Sequence, residues 1–171
     1  IYHEKQSRQM CALHALNNLL QNKIFDKQQL DEITIKLDPE SNSFWNSHRT
    51  FLGNYDINVL ISALQTINLE AVWFDKRKDP NCINTKMIKG FILNVPTKLS
   101  IGYLNFPIER RHWIAVIAID NQFWNLDSKL DEPKVIGDQA DLFKYLREQL
   151  ENIENQLFII CESNVDWMLQ E

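Results

Sequence analysis

The sequence predicts an α+β fold in which an N-terminal helical part packs on a mainly antiparallel β-sheet. Apolar residues recur at helical spacing before Leu69, whereas short β-branched or aromatic runs follow it. At 171 residues, 44% hydrophobic and 24% charged, the chain can bury a core and has the composition of a globular protein. No linker, repeat or low-complexity tract interrupts it, so we expect one domain over residues 1–171.

Three helices are predicted in the first part of the chain. Leucines at helical spacing place the first helix from Cys11, or the residue just before it, to about residue 22. The second begins after Asp26, which forms a capping box with Gln29, and ends at Asp38-Pro39. Asp56 caps the third. The polar residues 38–53 fit either a helical arm or an ordered loop.

The rest of the chain favours strands, with one helix inserted among them. Asp120-Asn121 is typical of a two-residue hairpin turn. Gly137-Asp138 introduces the inserted helix, which ends near Leu150. The predicted strands cover residues 69–74, 90–95, 112–119, 122–126 and 157–161.

Composition excludes several functional classes. A net charge of -5 and a pI near 5.4 argue against a nucleic-acid binder. The longest apolar run, Trp113 to Ile119, is too short to cross a bilayer. The four glycines form no phosphate-binding loop. Three widely spaced cysteines without a CxxC pair indicate a reducing compartment, so we expect a cytoplasmic protein, with the nucleus as a second location.

Cys11 is the first candidate for chemistry. A thiol at a helix N-terminus lies beside unpaired N–H groups and the positive end of the helix dipole, and both stabilise a thiolate. A cysteine nucleophile needs an imidazole, and His112 is the best placed because it opens a predicted strand at the sheet edge. His14 fits a structural histidine and His3 a solvated one. No second ligand pair accompanies Cys11 and His14, so no metal is expected.

The third group of such a site orients the imidazole, and Asn125 and Asp127 are its candidates. If Asp120-Asn121 is the turn, Val116 faces Asn125, and Asp127 is the diagonal neighbour of His112 at about 7–8 Å between Cα atoms. Asn125 is then roughly 13 Å from His112, too far for a direct hydrogen bond. We therefore predict Asp127, with Asn125 as the alternative if a bulge shifts the register by two.

Gln6 is a candidate for stabilising negative charge. Acyl transfer to sulfur creates an oxyanion that needs preorganised donors. Gln6 lies five residues before Cys11 and could offer its side-chain amide beside the Cys11 backbone N–H.

Four sequence blocks together resemble the Josephin family of papain-like deubiquitinating cysteine proteases. The blocks are YHEKQ at residues 2–6, CALHALNNLLQ at 11–21, RHW at 111–113 and WNLDS at 124–128. The resemblance runs from Tyr2 to about Ile160. It is closest to the short Josephin proteins that consist of the domain alone.

The resemblance implies a papain-like fold and a thiol-dependent deubiquitinase that hydrolyses ubiquitin isopeptide or peptide bonds through a thioester. Its nucleophile would be Cys11, its base His112, its third residue Asp127 and its oxyanion donor Gln6.

The resemblance also implies how the substrate is bound. Ubiquitin contacts would fall on Ile57, Asn58 and Ile67 of the third helix, and residues 38–53 would form a mobile arm over the cleft. Ubiquitin and ubiquitinated proteins would be the partners of a monomer that needs no metal or organic cofactor. The alternative is a catalytically weak or autoinhibited module that binds ubiquitin as a scaffold.

Overall fold

A computed structural model shows helices packed on both faces of one sheet. It describes residues 1–6, 10–39, 55–101 and 104–169, so the predicted arm at 38–53 lies outside the described residues from residue 40 onwards. In chain order the elements are α1 (Cys11–Leu20), α2 (Lys27–Leu37), α3 (Ile57–Gln65), β1 (Leu69–Trp73), a 3-10 turn (Pro80–Cys82), β2 (Gly90–Ile101), β3 (Leu104–Ile119), β4 (Gln122–Asn125), β5 (Lys134–Gly137), α4 (Gln139–Glu151) and β6 (Gln156–Glu162).

The six-stranded sheet has the order β1-β6-β2-β3-β4-β5, and every neighbouring pair is antiparallel. β6, the last strand in the chain, lies between β1 and β2. The predicted α+β class with an antiparallel sheet is therefore confirmed. In the described part of the chain, no helix is both long and apolar enough to cross a membrane.

Residues of β6 show how the two faces of the sheet are covered. Phe158 and Ile160 pack in the apolar cluster that includes α1 and α3, and Leu157 and Ile159 pack in a second cluster that includes α4. This alternation follows from the two-residue period of a strand. The N-terminal helices thus share one face, and α4 covers the opposite one.

Side-chain caps fix where three of the helices begin. Asp26 and Gln29 form the predicted capping box at α2, and Asp56 accepts hydrogen bonds from two N–H groups of α3. Asp138 caps α4 in a second capping box. The N-cap of α1 is Met10, which supplies no side-chain acceptor, so the first N–H groups of that helix have no cap from this residue.

The predicted hairpin between β3 and β4 is confirmed. Asp120 and Asn121 have φ of 50° and 61°, as a two-residue turn that matches the strand twist requires. Ile119 pairs with Gln122, and Val116 pairs with Asn125.

The prediction was wrong about the lengths of β2 and β3 and missed β5. β2 continues to Ile101 and β3 begins at Leu104, with a bulge between Lys98 and Leu99. β6 pairs with β2 only as far as Asn94, so Pro96 lies where β2 has become an edge, a position at which proline is tolerated. His112 therefore lies inside a long strand and does not open one. β5 was missed because its four residues are too few to show a strand pattern.

Candidate active site

Cys11 is the first residue of α1, whose buried side chains pack against β3. Its side chain is largely covered, with 7% of the residue surface exposed. The thiol sulfur lies 3.9 Å from the carbonyl oxygen of Arg111, so the start of α1 meets β3 one residue before His112. The first-turn N–H groups give this end of α1, where the thiol lies, a partial positive charge.

His112 is held against Cys11 on one side and Asp127 on the other. The ladder between β3 and β4 ends where Val116 pairs with Asn125, so the chain carrying Asp127 has left β4 beside His112. His112 Nε2 lies 2.6 Å from Asp127 Oδ1, and the Cys11 thiol is near enough to the ring to raise its pKa. Only 3% of His112 is exposed. The neighbouring Trp113 donates from Nε1 to the Tyr55 carbonyl oxygen at 3.2 Å and so ties β3 to the residue before the α3 cap.

The pKa shifts of His112 and Asp127 favour opposite charges on the two side chains. Burial lowers the pKa of His112, but the hydrogen bonds and charges of Asp127 and Cys11 outweigh burial, so its pKa lies above the ordinary 6.5. Burial raises the pKa of Asp127. The hydrogen bonds from His112 and from the Lys129 backbone, together with the positive charges of both residues, outweigh burial, so the pKa of Asp127 lies below the ordinary 3.8. The site therefore favours imidazolium beside carboxylate.

Asn125 supports Asp127 and does not contact the imidazole. Asn125 Oδ1 accepts the Asp127 backbone N–H at 2.9 Å, and Asn125 Nδ2 lies 3.5 Å from the Tyr145 hydroxyl of α4. Lys129 N–H donates to Asp127 Oδ1 at 2.8 Å. Of the two candidates, the structure thus places Asp127 against His112.

Gln6 reaches the same region through its backbone. Its N–H donates to the Ser128 carbonyl oxygen at 2.7 Å, one residue beyond Asp127. Its side-chain Oε1 is buried and finds no hydrogen-bond partner among the described residues.

Sequence reasoning missed a set of donors that hold the loop after β4. Three successive carbonyl oxygens accept hydrogen bonds from the N-terminal part of the chain: Asn18 Nδ2 donates to Leu126 at 3.0 Å, His3 Nε2 to Asp127 at 3.0 Å and Gln6 N–H to Ser128 at 2.7 Å. The expectation that His3 is solvated is wrong, because its ring is half-buried against this loop. Periodicity carries no signal for contacts between residues so distant in sequence.

His14 is structural, as the sequence suggested. Its Nδ1 lies 2.6 Å from Glu4 Oε2, and both side chains are mostly buried. Glu4 Oε1 also accepts from Asn17 Nδ2 at 3.0 Å and from the Tyr2 hydroxyl, whose pKa rises to about 12, first because of that bond. Glu4 thus joins the N-terminal segment to α1. Among the described residues, no cluster of three or more His, Cys, Asp or Glu side chains could hold a metal ion.

Ile57 and Asn58 lie at one end of α3, and Ile67 follows its other end. Ile57 and Asn58 are the first two residues of α3, where Ile57 is half-buried and Asn58 exposed. α3 ends at Gln65, so Ile67 lies in the following turn and not in the helix. The start of α3 is the end nearer His112, because Tyr55 is bound by Trp113.

The geometry unites a thiol, an imidazole and a carboxylate with a helix N-terminus, which is an arrangement that activates a sulfur nucleophile. The sequence pattern of the Josephin family matches residues 6–161. The chain is 45% identical over 170 residues to the Josephin-like protein of Drosophila melanogaster, covering 97% of this chain and 76% of that protein. It is 39% identical over 168 residues to Josephin-2 of Homo sapiens, covering 97% and 88%. Human ataxin-3 is 33% identical over 161 residues, which cover 81% of this chain and 39% of ataxin-3.

Proposed function

The chain belongs to the Josephin family and has its α+β fold, and from this premise we propose that it is a cysteine-type deubiquitinase. Its substrates are ubiquitinated proteins, and it hydrolyses the isopeptide or peptide bond after the C-terminal glycine of ubiquitin. The observation that carries the proposal is the 2.6 Å pairing of His112 with Asp127 beside Cys11, whose thiol lies 3.9 Å from the carbonyl oxygen of Arg111.

In the first half of the proposed reaction, the Cys11 thiolate attacks the carbonyl carbon of the ubiquitin C-terminal glycine. The negative charge moves to the carbonyl oxygen, where the Cys11 backbone N–H and the Gln6 side-chain amide donate hydrogen bonds. The tetrahedral intermediate then collapses, the carbon–nitrogen bond breaks, and His112 gives its proton to the departing lysine amine. A thioester between Cys11 and ubiquitin remains.

In the second half, water hydrolyses the thioester. His112, now neutral, takes a proton from the water as it attacks the same carbonyl carbon. The carbon–sulfur bond breaks, which releases the carboxylic acid of ubiquitin and restores the thiolate beside the imidazolium, and the acid then loses its proton to solvent. Asp127 stays ionised throughout and keeps the ring aligned, which its lowered pKa supports.

Ubiquitin recognition is proposed at the start of α3, where Ile57 and Asn58 lie at the end of the helix tied to Trp113. Ile67 belongs to a separate contact at the other end. Asn58→Arg should therefore raise the KM for a ubiquitin substrate, because it places a large charged side chain beside the cleft. The same residue is exposed, so the fold should tolerate the change.

A second candidate function is a ubiquitin-binding module with weak or autoinhibited catalysis. The observation in its favour is the burial of the reacting groups, since Cys11 is 7% and His112 3% exposed. This burial limits the access of a substrate carbonyl to Cys11.

The deciding experiment is incubation with a ubiquitin carrying a C-terminal electrophile, followed by intact mass and peptide mapping. A single adduct on Cys11 that is lost in Cys11→Ala supports the enzyme. Cys82→Ala is the matched control, chosen because Cys82 is the most exposed of the three cysteines. This variant should keep the adduct on Cys11. A folded protein that binds ubiquitin without an adduct would favour the second candidate, and one that does neither would refute both.

Location and assembly belong to the same proposal. We propose a monomer that acts in the cytoplasm, with the nucleus as a second location, and that requires no metal or organic cofactor. Sedimentation, imaging of a tagged chain and activity in the presence of a chelator test these three points.

A further inference from the structure

One peptide unit beside the active site is held at both of its ends by asparagine side chains. The unit joins Leu126 to Asp127. Its carbonyl oxygen accepts from Asn18 Nδ2 at 3.0 Å, and its N–H donates to Asn125 Oδ1 at 2.9 Å. Fixing this plane fixes the direction in which the Asp127 side chain leaves the backbone, and hence its aim at His112.

Asn18 connects this peptide to the helix of the nucleophile. It follows Cys11 by seven residues in α1, about two helical turns or 10.5 Å along the axis, so both residues lie on the same side of the helix. Its side chain is completely buried, at 0% exposure. Its Oδ1 is also engaged, since it accepts the Glu4 backbone N–H at 2.5 Å, and the amide therefore cannot rotate without losing bonds.

We propose that Asn18 is a positioning residue: by holding the Leu126 carbonyl oxygen, it keeps the Asp127 carboxylate aimed at His112 at a fixed distance from Cys11. The effect of Asn18 on catalysis rests on the proposed function. The positioning of Asp127 does not, because it involves residues of this chain alone.

Asn17 provides a matched control. It is the preceding residue, is equally buried at 1% exposure, and also uses its amide fully: Nδ2 donates to the Phe25 carbonyl oxygen at 2.9 Å and Oδ1 accepts the Phe25 N–H at 2.9 Å. Its bonds go to the turn before α2 and to Glu4 Oε1, and none of them goes directly to the Asp127 loop. Asn17→Ala and Asn18→Ala should therefore both lower stability, while only the second should disturb the site.

The test follows the protonation of the His112 ring by ¹⁵N–¹H NMR in a Cys11→Ala background, which removes the thiol from the titration. Among the described residues, the titratable groups that act on His112 are Asp127 and Cys11, so Asp127 is the one of them that remains. Asn18→Ala should lower the His112 midpoint by about one pH unit, because the support of Asp127 is weakened while burial remains. Asn17→Ala should leave the midpoint unchanged.

The kinetic readout uses the chain with Cys11 intact. Asn18→Ala should reduce kcat on a ubiquitin substrate by roughly ten- to a hundredfold with little change in KM, since a misaligned group affects the reaction and not the binding. Asn17→Ala should stay within about threefold of the unchanged chain. The NMR readout needs no ubiquitin, so a lack of deubiquitinase activity in the unchanged chain would refute the proposed function and leave the positioning role testable.

Equal shifts in the two variants, or no shift in Asn18→Ala, would overturn the proposal. If Asn18→Ala does not fold, Asn18→Asp replaces it, because the carboxylate keeps the acceptor for the Glu4 N–H and removes the Nδ2 donor to the Leu126 and Glu4 carbonyl oxygens. The readout of this variant is kcat, which should fall as in Asn18→Ala, because the added negative charge itself favours the imidazolium and would offset a lowering of the His112 midpoint. Failure of both variants to fold would assign Asn18 a purely structural role and overturn the positioning role.

Discussion

His112 Nε2 and Asp127 Oδ1 lie 2.6 Å apart, although β4 ends two residues before Asp127. The hairpin turn places β4 antiparallel beside β3. After Asn125 the chain continues along β3, where the Leu126 N–H donates to the Ala115 carbonyl oxygen at 2.9 Å. The pair is mostly buried, with 3% and 16% of the two side chains exposed, so their interaction is little screened by water.

Asp127→Ala should lower kcat much more than Asn125→Ala. Asp127 contacts the imidazole directly, and removing such a group costs about 10²- to 10⁴-fold in rate. Asn125 acts through one bond to the Asp127 backbone, so a loss of roughly tenfold is expected. Steady-state kinetics with a ubiquitin-conjugated fluorophore distinguishes them, and the reverse order would mean that Asn125 is the orienting residue.

Gln6→Ala should reduce kcat by roughly a hundredfold and leave stability nearly unchanged. An oxyanion donor acts only in the transition state, so KM should hardly move. The fold should tolerate the change because Gln6 contacts Ser128 through its backbone, which alanine preserves. Kinetics and thermal unfolding of the same sample check this. A clear fall in melting temperature with normal kcat would show that the side chain is structural.

The contribution of His112 to stability should depend on pH in a defined direction. Its raised pKa means that the stabilisation is complete below the ordinary 6.5 and is lost as the pH rises through the folded value. The lowered pKa of Asp127 means that its stabilisation is complete above 3.8 and is lost as the pH falls through its folded value.

Urea unfolding of the unchanged chain and of His112→Gln measures this dependence. The difference in the free energy of unfolding should be greatest between about pH 4 and 6.5, where both groups are charged in the folded state, and should shrink above that range. A difference that grows steadily towards pH 9 would contradict the assignment of the charged pair.

Glu4→Ala should destabilise the fold by about 2–4 kcal/mol, because polar groups of α1 and of the N-terminal segment lose the Glu4 carboxylate as an acceptor. The groups that lose a partner are His14, Asn17 and Tyr2. Glu4→Gln keeps one acceptor oxygen and should lose less. Chemical denaturation ranks the two variants, and a loss below about 0.5 kcal/mol for Glu4→Ala would show that these bonds are exchanged for water without penalty.

Local signals account for what the sequence could predict. The capping box of Asp26, the cap at Asp56 and the turn at Asp120-Asn121 each depend on a few neighbouring residues, and each is present in the structure. The hairpin register follows from that turn by counting, which is why Asp127 could be preferred over Asn125 before any coordinates.

Nonlocal contacts account for what the sequence could not predict. The extension of β2 and β3 contains prolines and charges that are untypical of a strand, and the pairing of these two segments is a contact that no local pattern indicates. The bond from His3 to the Asp127 carbonyl joins residues 124 positions apart, and no local pattern indicates it. The bond from Asn18 to the Leu126 carbonyl oxygen also has no sequence signal, because an asparagine inside a helix indicates only a weak helix former.

The separation of Cys11 from the residues that act on it has a consequence for biosynthesis. The contact between Cys11 and Arg111 spans 100 positions, and Asp127 follows later still. At about 5–20 residues per second, a ribosome completes α1 several seconds before β3 and its neighbouring loop exist. During that time the thiol has no imidazole beside it and behaves as an ordinary cysteine. If Cys11 is the nucleophile, we expect its activation only after β3 and the loop carrying Asp127 have joined the sheet.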